Sequence, residues 1–189
     1  MATDGQTLRS GSASRWTLFL WGGAALLLSL PFFAMQMQAP GVDWSAGDFI
    51  VMGVMLALVC GAIELAVRKT GNRSYRFGAA SAIAGAFLII WANLAVGIVG
   101  SEHNDANLLF FGALLIGLAS AIVARFRARG MAFAMLITFG AVAVAFGIAA
   151  LGATDEANVS HLREAIATSV ISSPFLLASF LFRRAAAAR

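Results

Sequence analysis

The side chains of this sequence with the greatest potential for chemistry are a few ionisable and amide groups that interrupt long apolar runs. Glu64 lies inside one such run, and Arg68 follows it one helical turn later. If the run crosses a membrane, a carboxylate there costs at least ~2.5–3.5 kcal/mol and suggests a proton or substrate site. The structural alternative is a Glu64–Arg68 ion pair in which the arginine reaches towards the membrane surface. We favour the ion pair, because a proton path needs further ionisable groups in series and the interior of the apolar runs provides none.

Asn93 is the second polar residue inside an apolar run. At helical spacing it shares a face with Ala86 and Gly97, so we expect this face to pack closely against another helix. An amide in such a position most simply forms a hydrogen bond to the neighbouring helix, worth ~0.6–2 kcal/mol. Glu64 and Asn93 differ in depth by about 15 Å at ~1.5 Å per residue, so we predict two isolated polar positions.

Both histidines lie among acidic residues in the segments that connect the apolar runs. Imidazole and carboxylate ligands suit zinc or manganese, so a metal site is one interpretation of this group: His103, Glu102, Asp105 and His161. The spacing matches no known ligand signature, which favours solvated loop residues instead.

The residues between the third and fourth apolar runs predict a tight turn. Gly100 is expected to end one helix in the left-handed conformation, and Asn104 or Asn107 is expected to cap the next. We therefore interpret this segment as a helix connection and not as an active site.

Motifs of known catalytic chemistry are missing from the sequence. It contains no nucleophile elbow, phosphate-binding loop, paired carboxylates or Cys/His group, so an enzymatic function has no residues to support it. The single cysteine, Cys60, lies in an apolar run and excludes an intrachain disulfide. We predict a protein without enzymatic activity and without a cofactor.

The composition indicates a membrane protein. Of 189 residues, 60% are hydrophobic and 12% are charged, against roughly 25% charged in soluble domains, and the mean hydropathy is +0.86. The apolar residues gather into six runs near the ~20 residues that a helix needs to cross a bilayer. The predicted spans are 16–37, 48–67, 77–99, 107–124, 131–153 and 164–182. They predict an all-α protein, a compact bundle of six transmembrane helices.

The distribution of basic residues predicts the orientation of the spans. All Lys and Arg except Arg163 fall in the N-terminal tail, the second and fourth connections and the C-terminus, whereas the acidic loop residues fall on the opposite side. Because basic flanks stay in the cytoplasm during insertion, both termini are predicted to be cytoplasmic. The pI of about 10.6 therefore reflects membrane topology, and we expect no nucleic-acid binding.

The predicted bundle has short tails at its two ends. Residues 1–15 are rich in Gly, Ser and Thr and are predicted to form a flexible cytoplasmic tail, residues 16–184 a single transmembrane domain, and residues 185–189 a cytoplasmic tail. A cleaved signal peptide is an alternative interpretation of the first span. Its apolar run exceeds the ~7–15 residues of a signal core, and no clear small-x-small site follows it. We therefore expect the first span to be retained.

Small residues predict how the helices meet. Lipid offers little hydrophobic gain for helix association, so small residues at spacing four supply close contact instead. Two spans carry such stripes: Gly53, Ala57 and Gly61 in the second, and Ala113, Gly117 and Ala121 in the fourth. The fifth span, rich in Gly and Ala, is expected to be central, and the first, rich in Phe and Leu, is expected to face lipid.

Prolines and a weak internal repeat add two expectations. Pro31 and Pro174 each remove a helical hydrogen bond and favour a kink, and Ser172 and Ser173 are placed to bond carbonyl groups that Pro174 leaves free. Residues 47–69 weakly match the segment 59 positions later, which favours three helical hairpins in parallel arrangement.

Two segments of the sequence resemble a known family. They are GIVGSEHNDAN, with WAN before it and FGAL after it, and ELAVRKTGNRSYR at residues 64–76. Both are similar to a family of small uncharacterised bacterial multi-pass membrane proteins, and the similarity extends from AMQ at residues 34–36 to ARFRARGMA at residues 124–132. The resemblance implies a bacterial inner-membrane location and implies no activity, ligand or site residue.

Two functions remain open at this point. The sequence favours a non-enzymatic accessory or interaction component of the inner membrane, in contact with lipid and with a second copy or another membrane protein. The alternative is a small oligomeric transporter or channel in which Glu64 and Asn93 are intramembrane polar positions. A transporter predicts a polar cavity near those residues, whereas an accessory protein predicts the same space filled with Ala, Leu and Phe.

Overall fold

The computed structural model describes residues 4–101, 103–152 and 160–188, with side chains from residue 16 onward. Over these ranges the secondary structure comprises six α-helices, one 3₁₀ turn and no strand: α1 Asp4–Gln36, α2 Ala46–Lys69, α3 Arg73–Ala95, the 3₁₀ turn Asp105–Asn107, α4 Leu108–Val123, α5 Ala128–Gly152 and α6 His161–Ala187. All six α-helices are long and apolar enough to cross a membrane. The predicted class, an all-α protein of six membrane-spanning helices, is confirmed.

Several helix ends differ from the predicted spans; α6, for example, ends at Ala187 and includes residues predicted as the C-terminal tail. Two of the differences have a clear physical cause. α1 begins at Asp4 and includes residues predicted as a flexible tail. A helix that is nucleated in an apolar run extends into the preceding residues without a second nucleation cost, which accounts for the longer helix. α3 ends at Ala95, a turn earlier than predicted, because Gly97 has a φ of +74° and leaves the helical conformation. The predicted end of the fifth span, residue 153, lies outside the described residues.

The chain divides into two compact units, a first unit of residues 1–65 and a second unit of residues 66–189. In the first unit α1 and α2 run antiparallel. Leu28 of α1 packs on Gly53 of α2, and the Cys60 Sγ lies 3.7 Å from the carbonyl oxygen of Leu20. Large side chains elsewhere on α1 are exposed, as expected for a helix that faces lipid: Phe19, Leu26, Phe32 and Phe33.

The small-residue stripe of α2 is not the buried face that the sequence predicts. Leu56 and Cys60 are buried, whereas Ala57 and Gly61 are exposed, and no atom lies within 4 Å of the position that a Cβ of residue 61 would take. Glu64 continues the face of Leu56 and Cys60 at spacing four and is half-buried. Of the predicted small face of α2, only Gly53 contacts α1. The prediction is wrong for Ala57 and Gly61, because α1 contacts α2 on the side of Leu56 and Cys60.

Four complete helices form the second unit, in the spatial order α3, α6, α5, α4. α5 and α6 pack on each other and each has a second neighbour, so both are central. α3 and α4 make only a few contacts with each other, so the middle hairpin of the three suggested by the repeat is not packed along its length. The central place of α5 is as expected, but its buried residues are mainly Ala and Met, whereas Gly140 and Gly147 face open space.

The contact between α4 and α5 uses the second predicted stripe. Ala113, Gly117 and Ala121 are all buried, which confirms this face. Gly117 approaches Thr138 of α5 so closely that a Cβ on residue 117 would overlap the threonine side chain. The Thr138 hydroxyl donates to the carbonyl oxygen of Ala134 at 2.8 Å in its own helix, so its polar atom is satisfied inside this contact.

Two glycines of α3 receive bulky side chains of α6. Gly78 lies against Phe182, and Gly85 lies against Phe175, with 3.1–3.3 Å between the phenyl ring and the position of a Cβ. A larger residue at either glycine would push the two helices apart. Because the glycines and the phenylalanines are both seven residues apart, α3 and α6 run antiparallel in a constant register.

Pro174 interrupts the hydrogen bonding of α6, and a neighbouring serine compensates for it. Proline has no N–H for the carbonyl group of Val170 one turn earlier, but the Ser173 hydroxyl donates to that oxygen at 2.8 Å. Ser172 makes a longer bond of 3.3 Å to the preceding turn. The carbonyl oxygen of Pro174 itself accepts from Ser81 of α3 at 2.8 Å. The predicted role is confirmed for Ser173, whereas Ser172 bonds to Ser169, whose carbonyl group Pro174 does not leave free.

The charges of the second unit separate between its two ends. One end of the second unit contains the first turns of α3 and α5 and the last turns of α4 and α6. At this end the Tyr75 hydroxyl donates to the Phe126 carbonyl oxygen at 2.6 Å. We name it the basic end, for the arginines that it carries: Arg73, Arg76, Arg125, Arg127, Arg129, Arg183 and Arg184. The opposite end, which we name the acidic end, carries Asp105 and Glu164 and a single arginine, Arg163.

Candidate functional site

Asn107 organises the connection between α3 and α4 at the acidic end of the second unit. Its side chain is buried, and its Oδ1 accepts from the N–H groups of Ile98 and Val99, both at 3.0 Å. Its Nδ2 donates to the carbonyl oxygens of Val99 and Ser101 at 3.2 and 2.8 Å. These four bonds use both donors and both lone pairs of the amide. Asn107 therefore closes the loop, and it makes no side-chain cap bond to α4.

The turn uses the predicted residues in different roles. Asn104 accepts from the N–H of Ala106 at 2.9 Å at the start of the 3₁₀ turn, which confirms one of the two predicted caps. Gly97, with a φ of +74°, follows the end of α3, whereas Gly100, with a φ of +67°, lies further along the loop. A Cβ on residue 97 would stand 2.5 Å from the carbonyl oxygen of Ser101. Glycine is thus required at residue 97 by both conformation and space.

Glu164 joins this loop to the first turn of α6. Its Oε1 accepts from the N–H of Gly100 at 2.7 Å, and its Oε2 lies 3.3 Å from Nδ1 of His161. A carboxylate in the first turn also interacts favourably with the positive end of the helix dipole. The sequence alone predicts no contact for Glu164, which counts there as one of the acidic residues opposite the basic connections. The spacing of three between His161 and Glu164 was the available sequence signal for the contact between these two side chains.

The four residues of the suggested metal site do not form a ligand group within the described chain. Glu102 lies outside the described residues. Among those that are described, no three His, Cys, Asp or Glu side chains are close enough to hold a metal ion. His103 and His161 are both exposed, and His161 contacts Glu164 instead. The described residues therefore give a zinc or manganese site no support.

Asn93 is buried near the end of α3, with 5% of its surface exposed. Its Nδ2 donates to the carbonyl oxygen of Ile89 at 2.9 Å within α3, so the predicted bond to a neighbouring helix is not formed. Its Oδ1 has no hydrogen-bond partner among the described residues. The buried face of α3 runs through Gly85, Ile89 and Asn93. The expected stripe through Gly97 is wrong, because the helix ends before that residue.

α6 carries a second buried polar atom without a partner. Thr168 is 4% exposed, and its Oγ1 forms no hydrogen bond to any part of the chain that the structure describes. Ser179 of the same helix is satisfied, because its hydroxyl donates to the carbonyl oxygen of Ala132 in α5 at 2.9 Å. The sequence analysis missed Thr168, since one threonine in an apolar helix is an ordinary surface or packing residue and gives no local signal.

Glu64 lies in the first unit and has a hydroxyl group beside it. The Thr17 hydroxyl of α1 is 3.4 Å from Glu64 Oε1, a long hydrogen bond between the two helices. Arg68 is exposed on the last turn of α2, and its ion pair with Glu64 stays a prediction. Glu64 belongs to the first unit and Asn93 belongs to the second.

Comparisons with known proteins add no family to these observations. No family model, no curated protein and no solved structure matches the chain. The resemblance of its two segments to small bacterial inner-membrane proteins therefore stays a hypothesis, and the function has to be argued from the geometry.

Proposed function

We propose that this protein is a non-enzymatic accessory or interaction component of the bacterial inner membrane. The observation that carries the proposal is the filled interior of the second unit. Its buried cluster consists of Ala, Met, Ile, Val and Phe side chains, and no charged side chain is among the buried residues of the described chain. An accessory protein is expected to have such an interior, whereas a transporter needs a polar cavity near the middle of the membrane.

Three of the four buried hydroxyl groups described in the second unit, all but that of Thr168, support the same proposal. Thr138, Ser172 and Ser179 are buried, and each donates to a backbone carbonyl oxygen. Hydroxyls that are bonded to the backbone add helix contacts and offer no free polar group to a passing solute. These residues therefore act as packing residues in the proposed protein.

The exposed surface of α1 supports a role in contacts within the membrane. None of the most apolar stretch of this helix is buried, and its surface is made of large aromatic and aliphatic side chains. Lipid covers such a surface in isolation, and a second copy or another membrane protein covers it in a complex. We propose that these are the partners of the chain.

The orientation is part of the proposal. The basic end of the second unit would face the cytoplasm, because basic flanks stay there during insertion, and both termini would then be cytoplasmic. Leu162→Cys at the acidic end and Ala187→Cys at the basic end are both exposed sites, and the native Cys60 is buried and offers little background. A membrane-impermeant maleimide should label residue 162 in intact spheroplasts and residue 187 only after lysis. The reverse pattern would overturn the orientation.

The accessory role is tested by asking what accompanies the chain. The protein is expressed at its native level, cross-linked in whole membranes and purified in a mild detergent, and its mass and composition are measured by native mass spectrometry. We expect a stoichiometric complex with another membrane protein or with further copies of this chain. A homogeneous monomer after cross-linking would count against the proposal.

A small oligomeric transporter or channel is the second candidate. The unpaired oxygen atoms of Asn93 and Thr168 favour it, because free buried polar groups are what a solute pathway requires. Glu64 would be the ionisable position of such a pathway. Solute flux in liposomes distinguishes the two candidates.

A further inference from the structure

Two polar atoms of the second unit are buried and have no hydrogen-bond partner among the described residues. They lie on α3 and α6, which pack against each other. Asn93 Oδ1 belongs to α3 and Thr168 Oγ1 belongs to α6. Both side chains are more than nine-tenths buried, with exposed fractions of 5% and 4%. Buried polar groups are nearly always hydrogen-bonded to protein or to ordered water, so each of these atoms calls for a partner.

The register between α3 and α6 brings the two residues to the same level. Gly78 lies against Phe182 and Gly85 lies against Phe175, so seven residues forward on α3 correspond to seven residues backward on α6. One further step of seven residues pairs Ala92 of α3 with Thr168 of α6, and Asn93 is the residue that follows Ala92. The constant antiparallel register therefore places the two unpaired atoms at one depth of the same helix interface.

We propose that Asn93 and Thr168 bind one water molecule between α3 and α6. The amide oxygen of Asn93 only accepts, and the Thr168 hydroxyl both donates and accepts. A water molecule donates one hydrogen bond to Asn93 Oδ1. It forms a second hydrogen bond with Thr168 Oγ1, either as donor or as acceptor. Water is the ligand class that fits, because a buried water needs two to four polar partners and this interface offers two.

The surroundings restrict the ligand to a small, uncharged molecule. Ile89 precedes Asn93 on α3, and Phe175 follows Thr168 on α6. Both side chains are apolar and fully or almost fully buried. No charged side chain is buried in the described chain. The half-buried Glu164 lies one turn before Thr168 on α6, but its carboxylate already accepts from the Gly100 N–H and contacts His161, so it offers no free counter-charge to an ion. The bound water joins α3 to α6 one step of seven residues beyond Gly85, at the level of Ala92. This inference does not depend on the proposed accessory role.

The direct test is a structure of the intact protein at a resolution that shows ordered water. We expect a solvent peak within hydrogen-bond distance of both Asn93 Oδ1 and Thr168 Oγ1, and we expect the peak to disappear in Thr168→Val, which keeps the shape of the side chain and removes its hydroxyl. An interface without a peak, a direct bond between the two side chains, or a Thr168 hydroxyl bonded to its own helix would overturn the proposal.

A stability cycle gives an independent readout. Asn93→Leu or Thr168→Val removes one partner of the water and leaves the other unpaired, so each should lower Tm by about 2–4 °C. The double variant removes both partners and should lower Tm by less than the sum of the two single effects. Thr138→Val is the matched control, because Thr138 bonds within α5, and its effect should add to that of Asn93→Leu. Additive effects of Asn93→Leu and Thr168→Val would contradict a shared water.

Discussion

Both units contain a stripe of small residues at spacing four, but only the stripe of the second unit is buried along its whole length. On α4 of the second unit, Gly117 is buried and lies directly against Thr138 of α5. On α2 of the first unit, Ala57 and Gly61 are exposed, and Gly61 has open space where a Cβ would stand. The two stripes have the same spacing of four and nearly the same residues, so the pattern alone does not decide which one packs.

The difference teaches that small residues permit close approach of two helices and do not cause it. Gly117 is matched by a side chain of the right size, whose hydroxyl is already bonded to its own helix. The glycines of α3 are matched in the same way by the phenylalanines of α6. A packing face therefore needs the opposing surface as well as the stripe, and the opposing surface is set by residues far away in the sequence.

Gly117→Leu should have the largest effect on this comparison. Even a Cβ overlaps Thr138 at this position, so the larger side chain must force α4 and α5 apart. We expect a loss of about 3 kcal/mol or more in the free energy of unfolding, at the upper end of overpacking costs, measured by thermal unfolding in detergent. Gly61→Leu is the matched control and should leave Tm within experimental error. Equal losses in the two variants would remove the distinction between the stripes.

Asn107→Asp should have the next largest effect and tests the loop that closes the second unit. The substitution keeps the shape of the side chain but loses the two donors to the carbonyl oxygens of Val99 and Ser101. We expect a loss of about 2–3 kcal/mol from the unpaired carbonyl groups. Asn104→Asp is the control, because Asn104 only accepts a bond and aspartate caps equally well. An Asn107→Asp variant as stable as this control would disprove the closing role of Asn107.

Ser81→Ala should have the smallest effect and separates bonds between helices from bonds within one. The Ser81 hydroxyl joins α3 to the Pro174 carbonyl oxygen of α6, and a bond of this kind in a membrane is worth about 0.6 kcal/mol. Ser120→Ala removes a hydroxyl that bonds to Ile116 in its own helix and should cost less. Measurement of the free energy of unfolding in both variants is the test, and an equal or greater loss in Ser120→Ala would contradict it.

The helix class and several local features could be predicted from the sequence because they depend on neighbouring residues. The apolar runs predicted six helices, Asn104 was expected as a cap, and Ser173 beside Pro174 was expected to bond a freed carbonyl group. Each of these signals lies within a few residues of its effect.

The packing face of α2 and the roles of Asn93 and Asn107 could not be predicted in the same way. The partner of Gly117 is 21 positions away, and the approach of α6 to Gly85 is fixed by Phe175. Asn107 was considered only as a cap, since its bonds to Ile98 and Val99 require the loop to fold back. Which residues meet across helices depends on the whole arrangement, and one sequence does not contain that information in a local form.

The interior of the second unit is a cluster of buried apolar side chains, and the central proposal is that it offers no solute pathway. The most direct measurement is flux through liposomes that contain the purified protein, with protons, potassium and urea as test solutes. We predict that these liposomes are as tight as liposomes without protein. A flux that rises with the amount of protein and falls in Asn93→Leu or Glu64→Gln would contradict the claim and establish a transport function.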